Sequence, residues 1–76
     1  MNKTRRKRLN ALQDSLQQLM TELEAITEEE QEYYDNMPES LQQGERGAAS
    51  DDALTALREA YDTLDTADGY LTDAIG

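Results

Sequence analysis

Carboxylates are the commonest side chains in this chain that could do chemistry. The 76 residues include 17 Asp and Glu, with neither His nor Cys. Two sets of acids recur at helical spacing and could ligate a metal ion: Glu22, Glu29 and Glu32, and Asp62, Asp65 and Asp68. Helical di-metal sites normally add His ligands, and acid–base catalysis needs a carboxylate held in a cleft. The sequence therefore predicts a protein without catalytic residues, metal or cofactor.

The basic residues are concentrated at the start of the chain. Residues 1–8, the basic head, hold five Lys and Arg and no acid, although the whole chain has a net charge of −10. Cations at a helix N-terminus oppose the helix dipole, so we expect the basic head to pair with acidic segments. The alternative is nucleic-acid binding through its cations, Lys3, Arg5, Arg6, Lys7 and Arg8. The acidic remainder would repel phosphates, which disfavours that alternative.

Tyrosines and a proline-containing segment are candidate contacts for a protein partner. Tyrosines commonly cap the core of a helical bundle with the hydroxyl in water, but a Tyr pair beside a proline could also anchor a partner. Arg46, between two glycines, could meet an anion or a carboxylate, although a solvated turn is the plainer interpretation. The candidate partner contacts are Tyr33, Tyr34, Met37, Pro38, Leu41 and Arg46.

Length and composition limit the fold. A chain of 76 residues allows one small domain, and the absence of Phe and Trp disfavours a β-rich core. No apolar run approaches the roughly 20 residues of a membrane span, and no signal peptide follows the basic head. We therefore expect a cytoplasmic protein with no membrane partner.

The first half of the chain carries a heptad repeat. Apolar residues recur at steps of three and four, the pattern of a helix with one apolar seam. Leu9, Leu16 and Leu23 occupy position a; Leu12, Leu19, Ile26 and Tyr33 occupy position d. Glu30 interrupts the a positions, and Met20 and Tyr34 at position e widen the seam. The pattern predicts a helix from about residue 3 to about residue 35.

The second half carries a similar pattern after a linker. Pro38 should end the first helix, and residues 38–41 could form one helical turn. Ser50 or Asp51 is a good N-cap, which predicts a linker over 36–50 and a second helix over about 51–74 that continues through Gly69. Its large seam residues are Leu54, Leu57, Tyr61, Leu64 and Leu71, and a row of alanines runs beside them: Ala53, Ala56, Ala60, Ala67 and Ala74.

Two helices of this size bury little surface by themselves. Each also carries an apolar stripe that is wider than one neighbour covers. We therefore predict an all-α fold in which a two-helix hairpin dimerises into an antiparallel four-helix bundle. The heptad residues of both helices form its core and dimer seam.

Charge predicts the orientation within that dimer. A parallel pair of first helices would place like charges together, whereas an antiparallel pair centred near Leu19 brings the basic head against acids of the other copy. The orientation-setting charges are Arg5, Arg6, Arg8, Glu28, Glu29 and Glu32. Asp65, Asp68 and Asp73 of the same chain are intramolecular competitors for the head.

The segment EEEQEYYDNMPESLQQGERG, residues 28–47, resembles a group of small bacterial and phage-associated helical proteins of no assigned activity. The resemblance implies a phage or mobile-element setting. For function, we expect a non-enzymatic assembly or adaptor protein that acts as a homodimer and binds an unidentified protein. The alternative is an acidic inhibitor that imitates DNA and blocks a nucleic-acid enzyme.

Overall fold

The chain folds into three helices without strands. A computed structural model describes all residues, 1–76, and places α1 at Lys3–Asp35, α2 at Glu39–Gln42 and α3 at Glu45–Ile75. The all-α class and the bounds of the first helix are confirmed. No helix has the length and apolar character of a membrane span.

α1 is delimited by polar caps and a proline. The side chain of Asn2 accepts a hydrogen bond of 2.8 Å from the backbone N–H of Arg5 and so satisfies one of the free donors of the first turn. The helix ends at Asp35, three residues before Pro38. Because proline disfavours helical conformation at the preceding residue, the chain turns at Met37.

The turn is shorter than the sequence predicted. α2 is the single helical turn expected after Pro38, but the next helix begins at Glu45 with Gly44 as its N-cap, six residues earlier than predicted. The predicted N-cap Ser50 lies in the second turn of α3 and is buried. The early start is possible because Gly47 has no side chain: a Cβ there would lie 1.9 Å from the carbonyl oxygen of Gln42.

α3 continues through Gly69 to Ile75, as predicted. A Cβ at Gly69 would meet no atom within 4 Å, so no close approach of a neighbouring element requires glycine there. The unbroken apolar spacing on both sides of Gly69 carries the helix past this residue, at a cost of about 1 kcal/mol relative to alanine.

α1 and α3 form an antiparallel pair. The side-chain amide of Gln13 donates to the carbonyl of Asp68 at 3.2 Å and to the hydroxyl of Thr72 at 2.7 Å, and Gln17 donates to the carboxylate of Asp68. At the other end, the hydroxyl of Ser50 donates to Glu30 at 2.8 Å. These bonds fix the register, with the N-terminal half of α1 beside the C-terminal half of α3.

The hairpin is long, thin and sparsely buried. It measures 58 × 15 × 13 Å, and its largest fully buried side chain is that of Leu54, which is 2% exposed. A compact monomer of this mass exposes about 4,700 Å², whereas this chain exposes 5816 Å². Dimerisation into a bundle, the second part of the predicted fold, stays a prediction. The large exposed surface of the monomer is sufficient for it.

Candidate interaction surface

The heptad repeat of α1 is divided between two faces. The a and e positions face α3: they include the half-buried Leu9, Leu16 and Leu23 and the buried Met20. The d positions point elsewhere and remain about half exposed: Leu12 57%, Leu19 52%, Ile26 54% and Tyr33 52%. The sequence predicted one seam of a and d residues, whereas the hairpin itself uses a and e and leaves the d row open.

The alanine row of α3 lies on the same side of the hairpin as this open row. Arg58 donates to Gln31 across one side of the helix pair, so the row of α3 that contains Arg58 and the row of α1 that contains Gln31 share that side. The d row of α1 lies on the other side of the helix pair. The row of α3 on that same side has members seven residues apart: Ala53, Ala60, Ala67 and Ala74. These four alanines, which we call the alanine row, are exposed, and Ala56, the fifth alanine of the predicted row, is exposed in the neighbouring c row.

Charge is excluded from this side of α3. With Gly47, Leu54 and Tyr61 as position a of α3, the acids from residue 51 onward occupy positions a, b, e and f. Positions c, d and g carry none from residue 49 to residue 74. The c row is Ala49, Ala56, Thr63 and Tyr70, the d row is Ser50, Leu57, Leu64 and Leu71, and the g row is the alanine row. The acidic helix α3 thus presents one long uncharged face. This face and the d row of α1 together form a surface that we call the Leu/Ala face.

The basic head lies at the free end of the molecule, away from two of the predicted intramolecular competitors. Asp68 bonds Gln17, and Arg8 and Arg5 precede Gln17 by roughly 13 and 18 Å along the helix at about 1.5 Å per residue. Asp65 lies about one helical turn beyond Asp68, further from the basic head. Asp73 occupies an f position, which faces away from α1. The α1–α3 pairing therefore leaves the cations of the basic head exposed.

The predicted acidic counterparts lie at the opposite end of α1. Glu28, Glu29 and Glu32 are all exposed, and Glu29 shares position g with Arg8. Along one side of α1, position g therefore carries a cation near one end and an anion near the other. This arrangement is what an antiparallel pair of α1 helices requires.

The candidate partner contacts near the turn are distributed over core and surface. Met37 is buried, and its backbone N–H donates to the carbonyl of Tyr34, which also accepts a 2.9 Å bond from Gln42. Met37 therefore closes the end of the hairpin and is not available to a partner. Pro38, Leu41 and Arg46 are exposed, and Tyr33 belongs to the open d row.

The carboxylates do not converge into a metal site. No group of three or more acids is placed to hold a metal ion, so neither Glu22, Glu29 and Glu32 nor Asp62, Asp65 and Asp68 meet. Glu24, Glu28 and Asp62 line an open groove between α1 and α3, with Arg58 and Tyr61 beside them. The Arg58–Gln31 hydrogen bond crosses this groove and ties its two walls together.

A polar pair in the core explains Glu30, which interrupts the heptad repeat. Its carboxylate accepts the hydrogen bond from Ser50, a residue only 4% exposed. Sequence reasoning assigned Ser50 to a cap and therefore missed the pair. The available signal was that Glu30 lies at a position of the heptad repeat and that Ser50 precedes Leu54 by four residues, so both continue the apolar spacing with a polar side chain near the turn.

We expect Ser50→Ala to lower the free energy of unfolding by about 1–3 kcal/mol, because the Glu30 carboxylate loses a partner in a part-buried site. Chemical denaturation followed by circular dichroism measures the change. Ser15→Ala is the matched control, since the exposed Ser15 hydroxyl bonds only the carbonyl of its own helix at Ala11. Equal effects of the two substitutions would contradict the role of the pair.

Comparison of the chain with protein-family models, with curated proteins and with solved structures gives no match.

Proposed function

We propose that this chain is a non-enzymatic assembly or adaptor protein that acts as a helical homodimer. One observation carries the proposal: the d row of α1 and the alanine row of α3 form an apolar face along the hairpin that the monomer leaves uncovered. Contiguous apolar patches of this kind on small soluble proteins mark sites of association. The phage or mobile-element setting rests on the resemblance of residues 28–47 and belongs to the same proposal.

The adaptor role needs surfaces that remain free after dimerisation. The exposed turn residues Pro38, Leu41 and Arg46 lie at the end of the hairpin, outside the Leu/Ala face. They would therefore stay accessible in the dimer and are the candidate contacts for another protein.

Sedimentation at micromolar concentration tests the dimer. We expect wild type to sediment at twice its 8.6 kDa mass, and Leu19→Asp to weaken association at least a hundredfold, because each copy would bury an unpaired charge. Thr21→Asp, with the same new charge on the outer f position, should remain dimeric. A wild-type protein that sediments at 8.6 kDa while fully helical would overturn the proposal.

The segregation of charge on α3 favours a second candidate, the acidic inhibitor of a nucleic-acid enzyme. Asp51, Asp52, Glu59 and Asp73 form exposed acidic rows on the faces that point away from the Leu/Ala face, and such rows could imitate a phosphate backbone. Capture of a basic nuclease or polymerase that is released at high salt would support this candidate. A shift of labelled DNA that is abolished by Arg5→Glu with Arg6→Glu would instead indicate direct binding of nucleic acid.

A further inference from the structure

We propose that the occupant of the Leu/Ala face is a second copy of this chain, related by a two-fold axis that crosses α1 near Leu19, so that α1 lies antiparallel to α1 and α3 antiparallel to α3. This inference rests on the proposed homodimer and specifies its geometry. The competing arrangement places the axis along the bundle, so that α1 packs against α3 of the other copy and the two α1 helices are parallel.

The aliphatic residues of the d row of α1, Leu12, Leu19 and Ile26, are symmetric about Leu19. An antiparallel copy places Leu12 opposite Ile26 of the partner subunit and Leu19 opposite itself. The three central layers of the new seam then contain large aliphatic side chains that are half exposed in the monomer. The direction from α1 toward the bundle centre lies between positions a and d, so both rows contribute to the core of the dimer.

Charge complementarity selects this arrangement. Position g flanks the seam between the two α1 helices, and in an antiparallel pair it meets position g of the other copy. Arg8 then lies beside Glu29 of the partner subunit, and by symmetry the same contact occurs twice. Arg5, which the hairpin leaves exposed in line with the d row, comes to the level of Glu32 of the partner subunit.

α3 must approach another acidic helix in this dimer, and its sequence permits that. The hydrogen bonds of Gln17 and Ser50 place the level of Leu19 at about residues 61–66 of α3, so the axis passes close to Thr63. The facing c and g rows hold alanines, Thr63 and Tyr70 and no charge between residues 49 and 74. Small side chains allow close backbone approach, and repulsion between the acidic helices is avoided because the acids lie on other faces.

The size of the face fits a stable dimer. The hairpin exposes 5816 Å², about 1,100 Å² more than a compact monomer of its mass, and standard interfaces bury about 800 Å² per partner. Tyr70, 71% exposed in the hairpin, lies in the facing c row and would gain cover on association.

Single cysteines test the geometry cleanly because the chain has none of its own. Leu19→Cys places two thiols across the axis, whereas Leu12→Cys places them about 21 Å apart along the helices, beyond the roughly 7 Å between Cα atoms that a disulfide spans. In a glutathione redox buffer we expect at least tenfold more covalent dimer from Leu19→Cys. Equal yields from these similarly exposed positions would overturn the antiparallel pairing.

Charge reversal is the second arm of the experiment. Arg8→Glu alone and Glu29→Arg alone should each raise the dimer Kd about tenfold at low salt, since two attractive contacts become repulsive. The double variant should restore wild-type affinity. A dimer that shows neither the cysteine preference nor the charge rescue would overturn this geometry and leave the homodimer standing. A monomeric wild type in sedimentation would overturn both.

Discussion

Leu54→Ala is expected to lower the free energy of unfolding by about 2–5 kcal/mol, because it removes the largest fully buried side chain of the molecule and leaves a cavity between the helices. A chain of this length has a total stability of about 4–11 kcal/mol, so the variant stands close to unfolding. Circular dichroism during thermal denaturation should show a midpoint lower by more than about 10 °C.

Leu41→Ala is the matched control for Leu54→Ala. Leu41 lies in α2 with 41% of its surface exposed, so the same truncation should cost less than about 1 kcal/mol. Both proteins must be compared at one concentration, since association contributes to the apparent stability of a dimer. A Leu54→Ala protein as stable as Leu41→Ala would mean that Leu54 does not form the core.

Gly47→Ala is expected to destabilise the protein by about 2 kcal/mol, although alanine normally stabilises a helix relative to glycine by up to about 1 kcal/mol. The added Cβ would meet the backbone of Gln42, whose carbonyl oxygen and carbon lie 1.9 and 2.3 Å from the methyl position. Backbone atoms cannot move aside as the end of a flexible side chain can, so α2 must separate from α3.

Gly69→Ala provides a control of opposite sign. It makes the same substitution in the same helix, where the added Cβ meets open space, and should therefore raise the free energy of unfolding by about 0.5–1 kcal/mol. Urea denaturation of the two variants beside wild type measures both changes. If Gly47→Ala were also stabilising, the close packing of α2 on α3 would be refuted.

The first helix was predictable to its bounds because its signals are local. Pro38 ends a helix whatever the tertiary contacts, and seven apolar residues at heptad positions from Leu9 to Tyr33 define the period. The start of α3 was not predictable in the same way. Ser50 has the residue type of a cap, and its burial depends on Glu30, a residue twenty positions earlier that the fold brings to within 2.8 Å.

For the candidate surface, the sequence likewise predicted which residues are apolar but not which of them stay exposed. The sequence identifies the apolar residues of α1, and nothing in a heptad repeat states which of its rows meets which neighbour. The hairpin packs positions a and e of α1 against α3 and leaves position d exposed. Met37 illustrates the same point, since a residue beside the proline was a candidate contact and the turn buries it.

The sequence by itself thus determined the first helix, the course of the second helix from residue 51 onward, the apolar period and the separation of basic from acidic segments, all of which depend on residues close together in the chain. Only the tertiary structure decided that Leu12, Leu19, Ile26 and Tyr33 remain exposed beside a row of alanines, because the exposure of a side chain depends on the angle at which a distant helix packs.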